Sequence, residues 1–141
     1  MFNSLILQHQ NYKQTHQFIM RKEEKIKVGI SIGDLNGVGG EIILKIFEDS
    51  RMLDFCTPII FASVKTMIFL KNQFESSINF NSIHSADQAR NNQVNVINVW
   101  NEDVKIEFGK EDPKIGEYAL KSLVAATQAL KKSKIDILVT A

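Results

Sequence analysis

"ISIGDLNGVGGE", residues 30–41, decides how this chain is read. An apolar run, 26–32, stops at Gly33, and Gly37, Gly39 and Gly40 follow with an acid and an amide between them. The chain holds 7 glycines in 141 residues, so four in one short stretch mark a turn that side chains would obstruct. Beyond the turn, "GEIILKIFEDSRML" (40–53) has apolar residues at 42, 43, 46, 47 and 53, a helical spacing. Strand, glycine turn and helix together open an α/β domain.

The same alternation continues outward. "TPIIFA" (57–62) predicts a second strand, and "SVKTMIFLKNQF" (63–74) a helix capped by Ser63. Residues 78–83 are weakly strand-like, and "SADQARNN" (85–92) reads as a short helix behind Ser85. "VNVINVW" (94–100) alternates and is β-branched, a strand, and "VKIEF" (104–108) predicts another. A loop through Gly109 and Pro113 leads to a long helix at 114–132, with Ile115, Leu120, Leu123, Val124 and Leu130 as its expected core face. Its alanines at 119, 125, 126 and 129 leave a second face able to pack on a neighbour. "IDILVT" (135–140) ends the series as a strand. The expected fold is α/β, a mostly parallel sheet with helices on both faces. Trp100, Phe61, Phe69 and Phe74 are read as core.

Composition narrows the function. Hydrophobic residues make up 44% and charged residues 23%, as in a globular domain. With 17 basic and 16 acidic side chains the net charge is +1, so no field steers the chain toward nucleic acid or an anionic membrane. The apolar runs are too short to span a bilayer. Cys56 is the lone cysteine, which points to a reducing cytoplasm and a packing role. His9, His16 and His84 have no metal-ligand spacing, and His84 is read as a surface residue. Residues 1–19 are rich in Gln and Asn without a period; they are expected to be a disordered extension or a mis-assigned start ahead of Met20, with a short surface helix as the alternative. Residues 20–141 are then expected to be an incomplete α/β domain, stopping on an apolar strand.

A glycine turn between strand and helix brings backbone close to a ligand, and the helix start offers N–H groups to a phosphate or carboxylate. The spacing here matches neither GxGxxG nor a P-loop, so a purely structural turn, with Asp34 or Asn36 folded back on the backbone, stands beside the ligand reading.

Three segments in order change that balance. "GDLNGVGGEI" (33–42) resembles the opening loop of the 4-hydroxythreonine-4-phosphate dehydrogenase family, typically GDPAGIGPE: Gly33, Asp34, Gly37, Gly39 and Glu41 match, while Leu35, Asn36 and Gly40 depart and both prolines are gone. "FGKEDPKIGEYALKSLVAATQAL" (108–130) is similar to the family's Gly-Lys pair, later Gly and Ala-rich helix through Gly109, Lys110, Gly116 and Ala119. "IDILVTA" (135–141) looks like the strand before its Pro-Ile/Val-x-Lys motif.

The resemblance covers residues 26–141. It implies an enzyme of vitamin B6 biosynthesis that oxidises 4-hydroxythreonine 4-phosphate with NAD or NADP, followed by loss of CO₂. It also implies a homodimer, two α/β domains per subunit like the isocitrate and isopropylmalate dehydrogenases, and a histidine-held divalent metal whose ligands are expected beyond residue 141. The chain is therefore expected to be the N-terminal portion of such an enzyme, inactive and poorly soluble alone. Within it, Gly33, Asp34, Asn36, Gly37, Gly39, Gly40, Glu41 and Thr140 are the expected cofactor- or substrate-cleft residues, and no catalytic or metal-binding residue is expected. Asp34 and Asn36 would orient polar groups, backbone N–H groups near Gly39 and Gly40 would face an anion, and Lys110 is read as solvated, with a place in the cleft as its alternative. Two other readings stand: a non-catalytic α/β domain that binds an anion or partner, and a related dehydrogenase acting on another phosphorylated hydroxy acid.

Overall fold

The structure is a computed structural model describing residues 2–141, without the side chains of 14–23. Met1 and the side chains of His16 and Met20, both read above, lie outside the described residues. Five strands, β1 (Ile26–Ser31), β2 (Cys56–Ala62), β3 (Phe80–Ile83), β4 (Val94–Asn98) and β5 (Ile137–Thr140), form one sheet in the order β3-β4-β2-β1-β5. Every pairing is parallel, with Ser31 opposite Phe61 and Thr140 at the carboxyl ends. Helices α1 (Phe2–Glu23), α2 (Gly39–Glu48), α3 (Met52–Phe55), α4 (Val64–Gln73) and α5 (Pro113–Lys131) complete the chain, with a single 3₁₀ turn at Ala86–Gln88. The segment before β1 is thus helical, and its side chains from 2 to 13 are exposed.

Strand alternation gives the sheet two apolar faces. Ile30, Ile60, Val94 and Val96 face Ile43, Leu44 and Phe47 of α2 and Met67 and Leu70 of α4. Ile59, Phe61 and Ile83 lie on the other face, with Ala126 of α5 and Ile135. Gly29 belongs to this second face, where a Cβ would stand 2.2 Å from the Ile135 side chain and 3.2 Å from Phe61. The sheet therefore has helices on both faces, as its alternating sequence requires.

Four details differ from the sequence reading. The helix expected over 40–53 breaks at Asp49, whose carboxylate accepts from the Arg51 backbone N–H at 3.1 Å and from its guanidinium, restarting the chain as α3. Residues 104–108 form no strand: Val104 and Ile106 pack half-buried on the core, and the Glu107 N–H goes to a side chain rather than a ladder. The core face of α5 is Ile115, Ser122 and Ala126, whereas Leu120 is 61% exposed and Leu123, Val124 and Leu130 are also exposed. Small side chains let this helix lie close to the sheet, so the larger leucines point away. Phe69, expected in the core, is exposed, while Trp100 and Phe61 are buried and Phe74 is half-buried.

Candidate functional site

The glycine loop leaves β1 at the carboxyl edge of the sheet, where open α/β sheets bind their ligands. Gly33 has φ +69°, a left-handed turn that bends the chain out of the strand. Its missing Cβ admits the last residue of the chain: a Cβ there would stand 2.0 Å from the Ala141 carbonyl oxygen. Gly39 is close-packed in the same way, with the Ile32 carbonyl oxygen at 3.0 Å and the Ala141 carbonyl carbon at 3.1 Å from a notional Cβ. Gly40 meets the Leu70 side chain of α4 at 2.7 Å. Gly37 closes a turn by donating to the Asp34 carbonyl at 3.0 Å. Tight packing of β1, β5, α2 and α4 at one corner thus accounts for these glycines within the chain itself.

The polar residues divide. Asp34 is exposed and accepts the Asn36 backbone N–H on Oδ1 at 2.9 Å, a local turn. Asn36, expected in the cleft, is only 4% exposed, and its side chain is spent inside the fold. Its Nδ2 donates to the Lys110 carbonyl at 2.9 Å and its Oδ1 accepts from the Glu107 N–H at 2.8 Å. Gly109 N–H donates to the Asn36 carbonyl at 2.9 Å. The loop and residues 107–110 are therefore one hydrogen-bonded unit, and Lys110 is brought beside the glycines. The Lys110 ammonium lies 2.6 Å from Glu107 and holds that carboxyl below its ordinary value. Glu41 is half-buried in the first turn of α2 and pairs with Lys45 at 2.5 Å. Thr140 is exposed at the end of β5, with Ala141 donating to the Ser31 carbonyl at 3.0 Å.

At the start of α2, Val38 in the cap position supplies no side-chain acceptor. The first backbone N–H groups of a helix have no partner inside it, and they carry the positive end of its dipole. The corner thus joins a helix start without a side-chain cap, whose Gly39 and Gly40 are buried, to the exposed Asp34, Thr140 and the Lys110 turn. Sequence reasoning missed Ser122, which is fully buried and accepts from the Ile32 N–H at 2.9 Å while donating to the Phe61 carbonyl. It missed the Asn36 clamp as well. The depletion of bulky residues along one face of α5 was the only signal for the first.

Among the described residues no three His, Cys, Asp or Glu side chains lie close enough to hold a metal ion. His84 is exposed and far along the chain from the glycine corner, at the end of β3. The donor set here does not suit the divalent metal that the resemblance implies. No helix among the described residues is long and apolar enough to cross a membrane.

Comparison with known proteins agrees with this architecture. Residues 54–141 match the family described as pyridoxal phosphate biosynthetic protein PdxA. A 4-hydroxythreonine-4-phosphate dehydrogenase of Bacteroides thetaiotaomicron is 42% identical over 120 residues, which cover 85% of this chain and 33% of that protein. A D-threonate 4-phosphate dehydrogenase of Cupriavidus necator is 24% identical over 116 residues, 81% of this chain and 35% of that one. The crystal structure of a 4-hydroxythreonine-4-phosphate dehydrogenase from Burkholderia phymatum has the same fold, with a TM-score of 0.76 at 22% identity over 84% of this chain and 36% of its own. The chain spans about a third of the length of the curated relatives it matches.

Proposed function

From the premise that this chain belongs to the pyridoxal phosphate biosynthetic protein PdxA family, we propose that it supplies the N-terminal part of an NAD- or NADP-dependent dehydrogenase oxidising 4-hydroxythreonine 4-phosphate. Residues 20–141 are then the first portion of a two-domain fold, and residues 1–19 an extension without a catalytic part. The observation that carries the reading is the glycine corner itself: the start of α2, without a side-chain cap, stands beside Asp34 and the end of β5, at the carboxyl edge of a parallel sheet.

In this reading the chain's own residues bind and orient. The N–H groups at Gly39, Gly40 and Glu41 face an anionic group of substrate or cofactor. The exposed Asp34 carboxylate accepts from a ligand hydroxyl, and the Thr140 hydroxyl donates from the mouth of β5. The Gly33 and Gly37 turns hold these donors in place, and Asn36 fixes the neighbouring 107–110 turn. A divalent metal would polarise the oxygens on which negative charge develops during oxidation and decarboxylation. The residues described here do not hold it, so its ligands would come from outside residues 2–141. The working protein is a cytoplasmic homodimer in this proposal.

Relatives named for D-threonate 4-phosphate favour a second reading, a dehydrogenase of another phosphorylated hydroxy acid. The departures at Leu35, Asn36 and Gly40 fall inside the loop that would discriminate between them. Incubating the full-length protein with each phosphate and either nicotinamide cofactor, and following reduced cofactor, tests both. Turnover of 4-hydroxythreonine 4-phosphate alone supports the first reading, and turnover of D-threonate 4-phosphate alone the second. Cofactor reduction with neither, despite binding of a phosphorylated ligand, returns the chain to a non-catalytic anion-binding role.

A further inference from the structure

Ser122 sits on α5, in the sheet-facing stripe that also carries Ile115 and Ala126, and none of it is exposed. A hydroxyl buried in an apolar interface is costly unless its hydrogen bonds are made. Here both are made, and to two different strands. The oxygen accepts from Ile32 N–H at 2.9 Å, and the hydroxyl hydrogen goes to the Phe61 carbonyl. Phe61 is the residue of β2 opposite Ser31, the last paired residue of β1. The hydroxyl therefore stands between β1 and β2 one residue past the end of their ladder, and one residue before Gly33.

We infer that Ser122 is a positioning residue of the glycine loop: its hydroxyl, seated between the Ile32 N–H and the Phe61 carbonyl, parts the two strands at their carboxyl ends and sets where the loop stands. On the β5 side the same point is held by the Ala141 N–H on the Ser31 carbonyl. On the α5 side the hydroxyl is the holding group. Without it, Ile32 N–H and Phe61 carbonyl are left unpaired in a dry interface, or the strands close on each other and draw Gly33 toward β2. Either outcome moves the N–H groups of α2 relative to Asp34 and Thr140. Misplacement of binding groups by about 1 Å is enough to cost on the order of a hundredfold in rate.

The functional half of this inference rests on the reading of the loop as ligand-facing, and the test separates the two. Amide hydrogen exchange is measured on full-length wild type, Ser122→Ala and Ser122→Thr, together with kcat/KM for 4-hydroxythreonine 4-phosphate. The alanine variant is expected to exchange at least about tenfold faster over 32–37, with β4 and α4 unchanged, and to lose at least about tenfold in kcat/KM; threonine, which keeps the hydroxyl, restores both. Exchange that is unchanged, or raised evenly across the sheet, overturns the positioning role whatever the activity. Faster exchange confined to the loop with unchanged kcat/KM keeps the hydroxyl's hold on the loop and overturns the loop's part in the reaction. If the alanine variant does not fold, Ser122→Cys keeps the shape with a weaker donor, and the same local pattern is required of it.

Discussion

Gly33 and Ala141 touch: a Cβ on Gly33 would lie 2.0 Å from the Ala141 carbonyl oxygen. A side chain there is refused by space and by backbone, since φ is +69°. Gly33→Ala is therefore expected to destabilise the full-length protein by more than the roughly 1–2 kcal/mol that a left-handed alanine costs alone. Urea denaturation measures it, and a loss below that range would mean that the end of β5 yields freely.

Asn36→Ala removes two side-chain bonds that hold residues 107–110. Each leaves a backbone group of Glu107 or Lys110 without its partner, so a loss of about 1–3 kcal/mol is expected, with faster amide exchange confined to 104–110. Asn36→Asp should be no rescue, because a carboxylate would face the Lys110 carbonyl where the amide donates.

Asp34→Ala should act differently. Its carboxylate is exposed and makes one local bond to the Asn36 N–H, so its stability effect is small. In the full-length enzyme kcat/KM should still fall by at least about tenfold. Wild-type kcat/KM in this variant would remove Asp34 from the cleft.

Legibility tracked bulk and backbone. The glycine cluster was visible because four small residues in one stretch are scarce in this chain, and the strands because β-branched runs are short and dense. The core face of α5 runs against the size of its apolar residues: Ser122 and Ala126 are inside with Ile115, and the larger leucines are out. Asn36 was placed in the cleft because a polar side chain in a glycine loop suggests a ligand; its partners are backbone groups seventy-odd positions on, which no local pattern reveals. The 104–108 stretch has strand chemistry, yet its Glu107 N–H is taken by the Asn36 side chain.

Cys56 gives a pH test. Burial pushes its thiol above the ordinary value, an effect only partly offset by nearby Lys25. The folded protein should therefore be alkylated more slowly than the same cysteine in an unfolded peptide, with its reactivity midpoint at higher pH. Since the unfolded chain loses this proton first, the contribution runs toward lower stability as pH rises past the unfolded thiol value. A midpoint at or below that of the peptide would contradict this.

The place of β5 beside β1 has a consequence for how the molecule comes into being. Lys27 N–H is bonded to Asp136 Oδ2 across 109 residues of sequence, and Gly33 closes against Ala141. Contacts of such separation form late, because the intervening loop must be closed before they repay it. During synthesis, β1 and its glycine turn emerge early and wait without their neighbour until residues 137–141 have left the ribosome. This corner of the sheet is thus completed only once β5 has emerged, and until then the β1 edge that β5 will cover is where assistance or misassembly would first be felt.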